Sequence, residues 1–335
     1  MKRVLVVRCG ALGDLVYATS VIDALKKEYG EDTLIDFVAT PSSATIFQKD
    51  PRINHIFPLK HKKIPLILSK EKQAIVKASK QNPYDILINF EHGKQFTSLL
   101  TSIIASKKIG PQLSDISIAP NVTHMVDVIR YTFKELVSED VFQTSFPRLI
   151  GSDKEEMRNK YGLSKRYIII SPSNSHQKRN RINYRAWQNQ SWKELIEKLS
   201  KEIEVVIIGA KGEDAFFTEL LPYPQNVIDL VGKTPLSDLI GVIEAAEGLV
   251  ATDTGTAHIA SAVNTEVFAL IGPTPANVTG PYQSTQNKVH IISLNLECSP
   301  CYKTPRMKAC KENICMKNIS SDMVYETIKK AEIIL

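Results

Sequence analysis

The sequence predicts an α/β protein of two successive domains, each a parallel sheet with helices on both faces. Its 335 residues exceed the length at which one core usually keeps growing, so two domains of ordinary size are expected. Short apolar runs alternate with segments of helical period through the first half, and parallel strands are what such crossovers connect. The same alternation restarts at Tyr167, after Pro147, Gly151 and Ser152 have broken the pattern between Phe146 and Asp153. The expected domains are therefore 1–150 and 151–335.

In the first half, Val4 to Val7 reads as a buried strand, Leu15 to Glu28 as a helix closed by Gly30, and Leu34 to Ala39 as the next strand. Ile53 to Phe57 and Ile86 to Phe90 read as further strands, with helices over Glu71 to Lys80 and Phe96 to Ala105. The second half opens with the strand Tyr167 to Ile170. The helix Trp192 to Lys201 and the strand Val205 to Ile208 follow, ending at Gly209. Leu236 to Ala246 is helical, Leu249 to Ala251 a strand, Thr256 to Ala262 helical and Val267 to Ile271 a strand before Gly272-Pro273. A last helix, Asp322 to Ile334, is a candidate to pack back on the first domain. In open parallel sheets ligands bind beyond the carboxyl ends of the strands, so two such domains facing one another would define a cleft lined by loops of both.

Composition narrows the function classes. With 43% hydrophobic and 23% charged residues the chain is globular rather than disordered or fibrous. No run reaches the roughly 18 apolar residues of a membrane span, and the chain enters the strand Arg3 to Val7 with no signal-peptide pattern, so a cytoplasmic location is expected. The net charge of +6 is modest and gathers at Lys60-His61-Lys62-Lys63 and Lys178-Arg179-Asn180-Arg181. Solvated faces account for most such clusters, while an anionic substrate or membrane surface suits them equally. Nucleic acid is disfavoured, because no zinc finger, RNP motif or basic stretch interleaved with aromatics is present. Cys9 stands alone, whereas Cys298, Cys301, Cys310 and Cys315 follow C-x2-C-x8-C-x4-C. That spacing allows a four-thiolate structural zinc, two disulfides, which the expected cytosolic location disfavours, or a packed, unbridged loop. The second pair lacks the usual short knuckle and favours the last of these.

The stretch Val250 to Ala260 is the most informative. A buried strand stops at Asp253-Thr254-Gly255 and passes into a helix carrying His258 near its start. Free N–H groups and the helix dipole make such a junction an anion site, with Thr254, Gly255 and Thr256 permitting close approach and His258 adding a donor. An N-cap by Asp253 explains the same residues without a ligand. After the first strand, Gly10-Ala11-Leu12-Gly13-Asp14 is not G-x-G-x-x-G, which disfavours a nicotinamide or flavin enzyme. Gly10 and Gly13 allow a tight turn, and Asp14 is either a helix cap or a general base for an attacking hydroxyl. Ser171-Pro172-Ser173-Asn174-Ser175, the basic loop from His176 to Arg181 with Lys178, and then Arg185 offer hydroxyls and cations suited to a leaving diphosphate. Gly209-Ala210-Lys211-Gly212-Glu213 places Glu213 where it can accept from ribose hydroxyls or favour a helix start.

Taken in order, G-A-L-G-D, S-P-S before W-x4-W-K-E-L, G-A-K-G-E-D, D-T-G-T-A-H-I-A, I-G-P-T and C-S-P-C resemble glycosyltransferase family 9, the ADP-heptose:lipopolysaccharide heptosyltransferases. The resemblance covers nearly the whole chain. It implies a GT-B fold, in which two Rossmann-like domains face across a cleft, acceptor on the first and nucleotide sugar on the second. It further implies inverting transfer from ADP-heptose with no cofactor or catalytic metal. Asp14 would be the base, and Gly13, Ser173, Ser175, Lys178, Arg185, Glu213, Asp253, Thr254, Gly255, Thr256 and His258 would hold the donor. The acceptor would be a lipid A-linked lipopolysaccharide core at the cytoplasmic face of the inner membrane, met by Lys60, Lys62 and Lys63 and by peripheral membrane contact. One departure stands out: Arg185 occupies the place of the family's usual lysine, two residues before the first tryptophan. A related enzyme acting on protein or another surface glycan, and a non-catalytic nucleotide-sugar binder, are the alternatives.

Overall fold

The computed structural model describes residues 1–174 and 182–334, and the chain divides into two units, Met1–Ile150 and Gly151–Leu335. The first holds five parallel strands: β1 (Arg3–Val7), β2 (Leu34–Ala39), β3 (Ile53–Pro58), β4 (Tyr84–Asn89) and β5 (Ala105–Ile109). Their order is β3-β2-β1-β4-β5. The central strands are continuous apolar runs because both of their faces are covered; Val4, Leu5, Val6 and Val7 are wholly buried. The edge strands β3 and β5 are largely exposed or half-buried, as strands that must not recruit further partners usually are. On β5 the Lys108 ammonium donates to Leu100 O and Thr101 O, at the end of the helix Thr97–Ser102.

The expected helix from Leu15 to Glu28 is two helices, Leu12–Ala18 and Ser20–Tyr29. The hydroxyls of Thr19 and Ser20 donate back to Val16 O and Tyr17 O at the break, a competition with the helical ladder that Ser and Thr commonly introduce. The first helix starts three residues before the expected position, so Gly13 and Asp14 lie inside its opening turn. Phe96 to Ala105, expected to be one helix, ends its helix at Ser102, and Ala105 already begins β5.

The second unit carries six parallel strands: β6 (Tyr167–Ser171), β7 (Glu204–Ile207), β8 (Val227–Asp229), β9 (Gly248–Thr252), β10 (Glu266–Leu270) and β11 (Val289–Ile292). Their order is β11-β10-β9-β6-β7-β8. Counted from β6, this is the 3-2-1-4-5-6 arrangement of dinucleotide-binding folds. Its core gathers Ile168, Ile170, Trp192, Val250 and Phe268, and Trp187 meets Trp192 edge to face at 4.7 Å. Trp187 Nε1 also donates to Ile319 O at 2.8 Å, so the W-x4-W pair is structural. The last helix, Ser321–Lys330, buries Val324 and Ile328 in this same core and packs on the helix Asn189–Leu199.

Near the start of the second unit, Asp153 caps the helix Lys154–Tyr161, and Gly162 ends it in the left-handed conformation. Asp238 ties this region together by accepting from Ser152 Oγ, Lys160 Nζ and Tyr161 Oη at 2.9, 2.6 and 2.9 Å. Burial alone would raise the Asp238 carboxyl, but these bonds outweigh it and hold the group below its ordinary value.

Candidate active site

In each sheet two neighbouring central strands send their following connections apart, and that divergence opens a crevice at their carboxyl ends. In the first unit these strands are β1 and β4, and the residues just beyond them form one network. Arg8 is buried and donates from Nη1 to Phe90 O at 2.7 Å and from Nη2 to Asp14 Oδ1 at 2.9 Å. Glu91 Oε1 lies 4.0 Å from Arg8 Nη1 and accepts the Cys9 N–H at 2.7 Å. Asn89 fixes that glutamate, accepting its N–H and donating to its carbonyl. The other oxygen of Asp14 accepts the Ala11 N–H at 3.0 Å, while the side chain keeps 40% of its surface exposed. Asp14 is thus both a cap of its own helix and an oriented, solvent-reaching carboxylate beside a buried cation.

Gly10 makes that orientation possible: a Cβ there would lie 2.4 Å from Asp14 Cβ and 2.6 Å from Oδ2. The Cys9 thiol beside it is pushed up to about 12, first by burial and then by Glu91. Of the basic cluster, Lys62 reaches this turn and donates from Nζ to Cys9 O, whereas Lys60 and Lys63 point into solvent.

In the second unit the diverging strands are β6 and β9. Ser171 Oγ and Thr256 Oγ1 are 2.8 Å apart, linking the ends of the two loops. Asn174 donates to Thr252 Oγ1 at 3.4 Å and accepts from Asn183 Nδ2 at 3.0 Å. Asn183 Oδ1 in turn accepts the Arg185 N–H. The Arg185 guanidinium then returns to the β9 turn, with Nε 3.5 Å from Asp253 Oδ2 and Nη1 donating to Asp253 O at 3.3 Å. It also stacks 4.4 Å from the Tyr302 ring centroid.

The helix after β9 runs Gly255–Ala262 with Thr254, not Asp253, as its N-cap, and Thr254 makes no side-chain capping bond. Asp253 turns to Arg185 instead, and among the opening N–H groups of the helix that of Ala257 donates to Thr254 O at 3.2 Å. His258, four positions into the helix, is buried. Ser173 and Glu213, given separate jobs by the sequence, form one buried pair: Ser173 Oγ donates to Glu213 Oε2 at 2.7 Å, and Ala210 N–H donates to the same oxygen at 2.9 Å. Ser175 and Lys178 lie outside the described residues.

Sequence reasoning missed Arg8, Glu91, Asn174, Asn183 and Tyr302. The first three carried a usable signal, since each stands within a few residues of the carboxyl end of a strand at a point of divergence. Tyr302 carried none.

The four C-terminal cysteines line one cavity of about 40 Å³ together with Tyr184, Pro273 and Arg306. All five cysteines are free thiols, and burial raises Cys315 to about 11 and Cys301 above its ordinary value. Asn313 N–H donates to Cys310 Sγ at 3.3 Å. Among the described residues no three of His, Cys, Asp or Glu are grouped as a metal ligand set.

A sequence profile of glycosyltransferase family 9 (heptosyltransferase) matches residues 73–311. The chain belongs to glycosyltransferase family 9. Within that family it is 27% identical over 285 residues to lipopolysaccharide heptosyltransferase 3 of Escherichia coli, covering 78% of this chain and 81% of that one. Among solved structures it resembles the glycosyl transferase family 9 protein of Veillonella parvula DSM 2008, with a TM-score of 0.78 at 17% identity, over 98% and 96% of the two chains. It resembles E. coli ADP-heptose lps heptosyltransferase II with a TM-score of 0.73 at 18% identity, over 98% of both. The family 9 chain therefore has the GT-B fold, with two Rossmann-like domains, and is a glycosyltransferase.

Proposed function

We propose that this glycosyltransferase moves a heptose from ADP-heptose to the inner core of a lipopolysaccharide, with inversion at the anomeric carbon. The names of its relatives supply the donor and acceptor classes. The observation that supports the chemistry best is the β9 turn, where Arg185 is held against Asp253 beside the start of the helix Gly255–Ala262, a cation and a helix N-terminus at one turn. The acceptor hydroxyl gives its proton to Asp14 while its oxygen attacks the anomeric carbon. The bond from that carbon to the β-phosphate oxygen breaks, and ADP leaves with the electron pair.

Negative charge growing on the diphosphate is met by the N–H groups of the Gly255 turn, by Arg185 and by His258. Arg185 fills the role of the family's lysine through a guanidinium held between Asp253 and Tyr302, which restricts its reach but fixes its fork. Glu213 Oε1, the oxygen not committed to Ser173 and Ala210, receives a ribose hydroxyl. Lys62, the lysine of the basic cluster that reaches the Asp14 turn, meets an acceptor phosphate. A cytoplasmic position at the inner membrane suits the free cysteines and the nucleotide-sugar donor. Incubating the pure protein with ADP-heptose and a heptose-free core acceptor tests the proposal: ADP release and a product heavier by one heptose are expected, and ADP release no faster than without acceptor would reject this donor and acceptor pairing.

A further inference from the structure

Ile67 and Leu68 are 80% and 70% exposed, and among the described residues they are the only two consecutive large hydrophobics left in water. Both sit on a single 3-10 turn, Leu66–Leu68, that follows Pro65. A pair of aliphatic side chains in water is unfavourable, so their display needs either a slack loop or a purpose. The loop is not slack. Three consecutive side chains at the start of the helix Lys70–Gln81 hold its backbone.

Glu71 Oε2 accepts the N–H groups of Lys60 and His61 at 3.1 and 3.5 Å. Lys72, whose side chain is 1% exposed, donates from Nζ to Lys62 O, Ile64 O and Gln95 O at 2.7, 2.9 and 3.0 Å. Gln73 Nε2 donates to Leu66 O and Ile67 O at 3.2 and 2.7 Å. Leu66 packs on the first unit's core, which turns its two successors outward. The segment from Lys60 to Lys70 contains four lysines and no acid, and Lys60, Lys63 and Lys70 are exposed around the apolar tip.

We propose that this turn docks the protein on an anionic phospholipid bilayer, with Ile67 and Leu68 entering the acyl boundary and Lys60, Lys63 and Lys70 lying among the headgroups. Charge complementarity selects this occupant. Lysines rim the tip with flexible stems that keep their ammonium groups at the headgroup level, and the tip has none of the Trp, Tyr or Arg that anchor protein interfaces. Lys62 joins the docking loop to the Asp14 turn through Cys9 O, so the bilayer contact belongs to the unit proposed to take the lipid-borne acceptor. The inference deepens that reading but is measured without donor or acceptor, so either can fail alone.

Co-sedimentation of the full chain with vesicles of phosphatidylethanolamine and phosphatidylglycerol, and with phosphatidylcholine vesicles, tests it. The protein is expected on the anionic vesicles and largely in the supernatant of the neutral ones, with salt weakening the binding. Ile67→Ser with Leu68→Ser should lower partitioning about tenfold or more, and Lys70→Gln about fivefold. Because Ile67 and Leu68 are 80% and 70% exposed, the double variant should keep the parent's melting temperature and its transfer rate on a lipid-free acceptor. Equal partitioning of parent and double variant overturns the proposal. So does a change in sedimentation coefficient, caused by the double variant, with vesicle binding intact, which would make the turn a protein-docking face.

Discussion

Asp14 shows how a helix-capping residue can also satisfy the geometry of the base role proposed for it. One oxygen caps the helix and the other pairs with Arg8, yet two-fifths of the side chain remains open. Asp14→Asn keeps the cap, because the amide oxygen can still accept from Ala11, and removes the base. ADP affinity measured by calorimetry should therefore be unchanged while transfer falls by about 10²-fold or more; unchanged turnover would take Asp14 out of the base role. The residue was legible in the sequence because glycines and an acid crowd into five positions after a strand. Its partners were not: Glu91 stands 77 positions away along the chain, and only the pairing of β1 with β4 brings it to Cys9. The Ser173–Glu213 pair was hidden for the same reason, as each residue has an ordinary local explanation until β6 and β7 are set side by side.

Glycine in a helix usually weakens it, and replacement by alanine usually strengthens it by roughly 0.5–1 kcal/mol. Gly241, inside the helix Leu236–Glu244, should behave in the opposite sense, because a Cβ there would lie 2.3 Å from Ser152 O. Gly241→Ala is expected to destabilise by about 1–3 kcal/mol in chemical denaturation, and a stabilised variant would refute the close approach. The same region makes an acid-sensitive joint. The folded Asp238 carboxyl lies below its unfolded value, so its contribution is present above about pH 4 and is lost as pH falls through the folded value. Thermal melts should show Asp238→Asn well below the parent at pH 7 and the gap closing in acid. Buried strands were readable from their apolar runs, whereas β5, β8 and β11 were not, since edge strands are short and mix polar with apolar residues. The helix break at Thr19 was equally silent, because hydroxyls that bond backward leave the apolar period intact.

Each unit of the chain has a core of its own, and each carries its own set of loops at a strand divergence. The division of labour proposed for them predicts an asymmetric response to nucleotide. ADP should slow amide exchange around residues 171–174, 209–213 and 252–258 while leaving residues 1–150 at their free rates, and protection spread evenly over both would contradict it. The burial of Cys9 has a practical corollary at this scale. With its thiol held protonated to about pH 12 and closed off from solvent, the leading unit is chemically silent toward maleimides. Cys298 alone among the five thiols is exposed, so a fluorophore added to the native protein should mark the trailing unit there, with peptide mapping finding Cys9 unmodified. The wild-type chain thus carries a built-in optical handle on the unit proposed to hold the donor, usable without engineering away any residue.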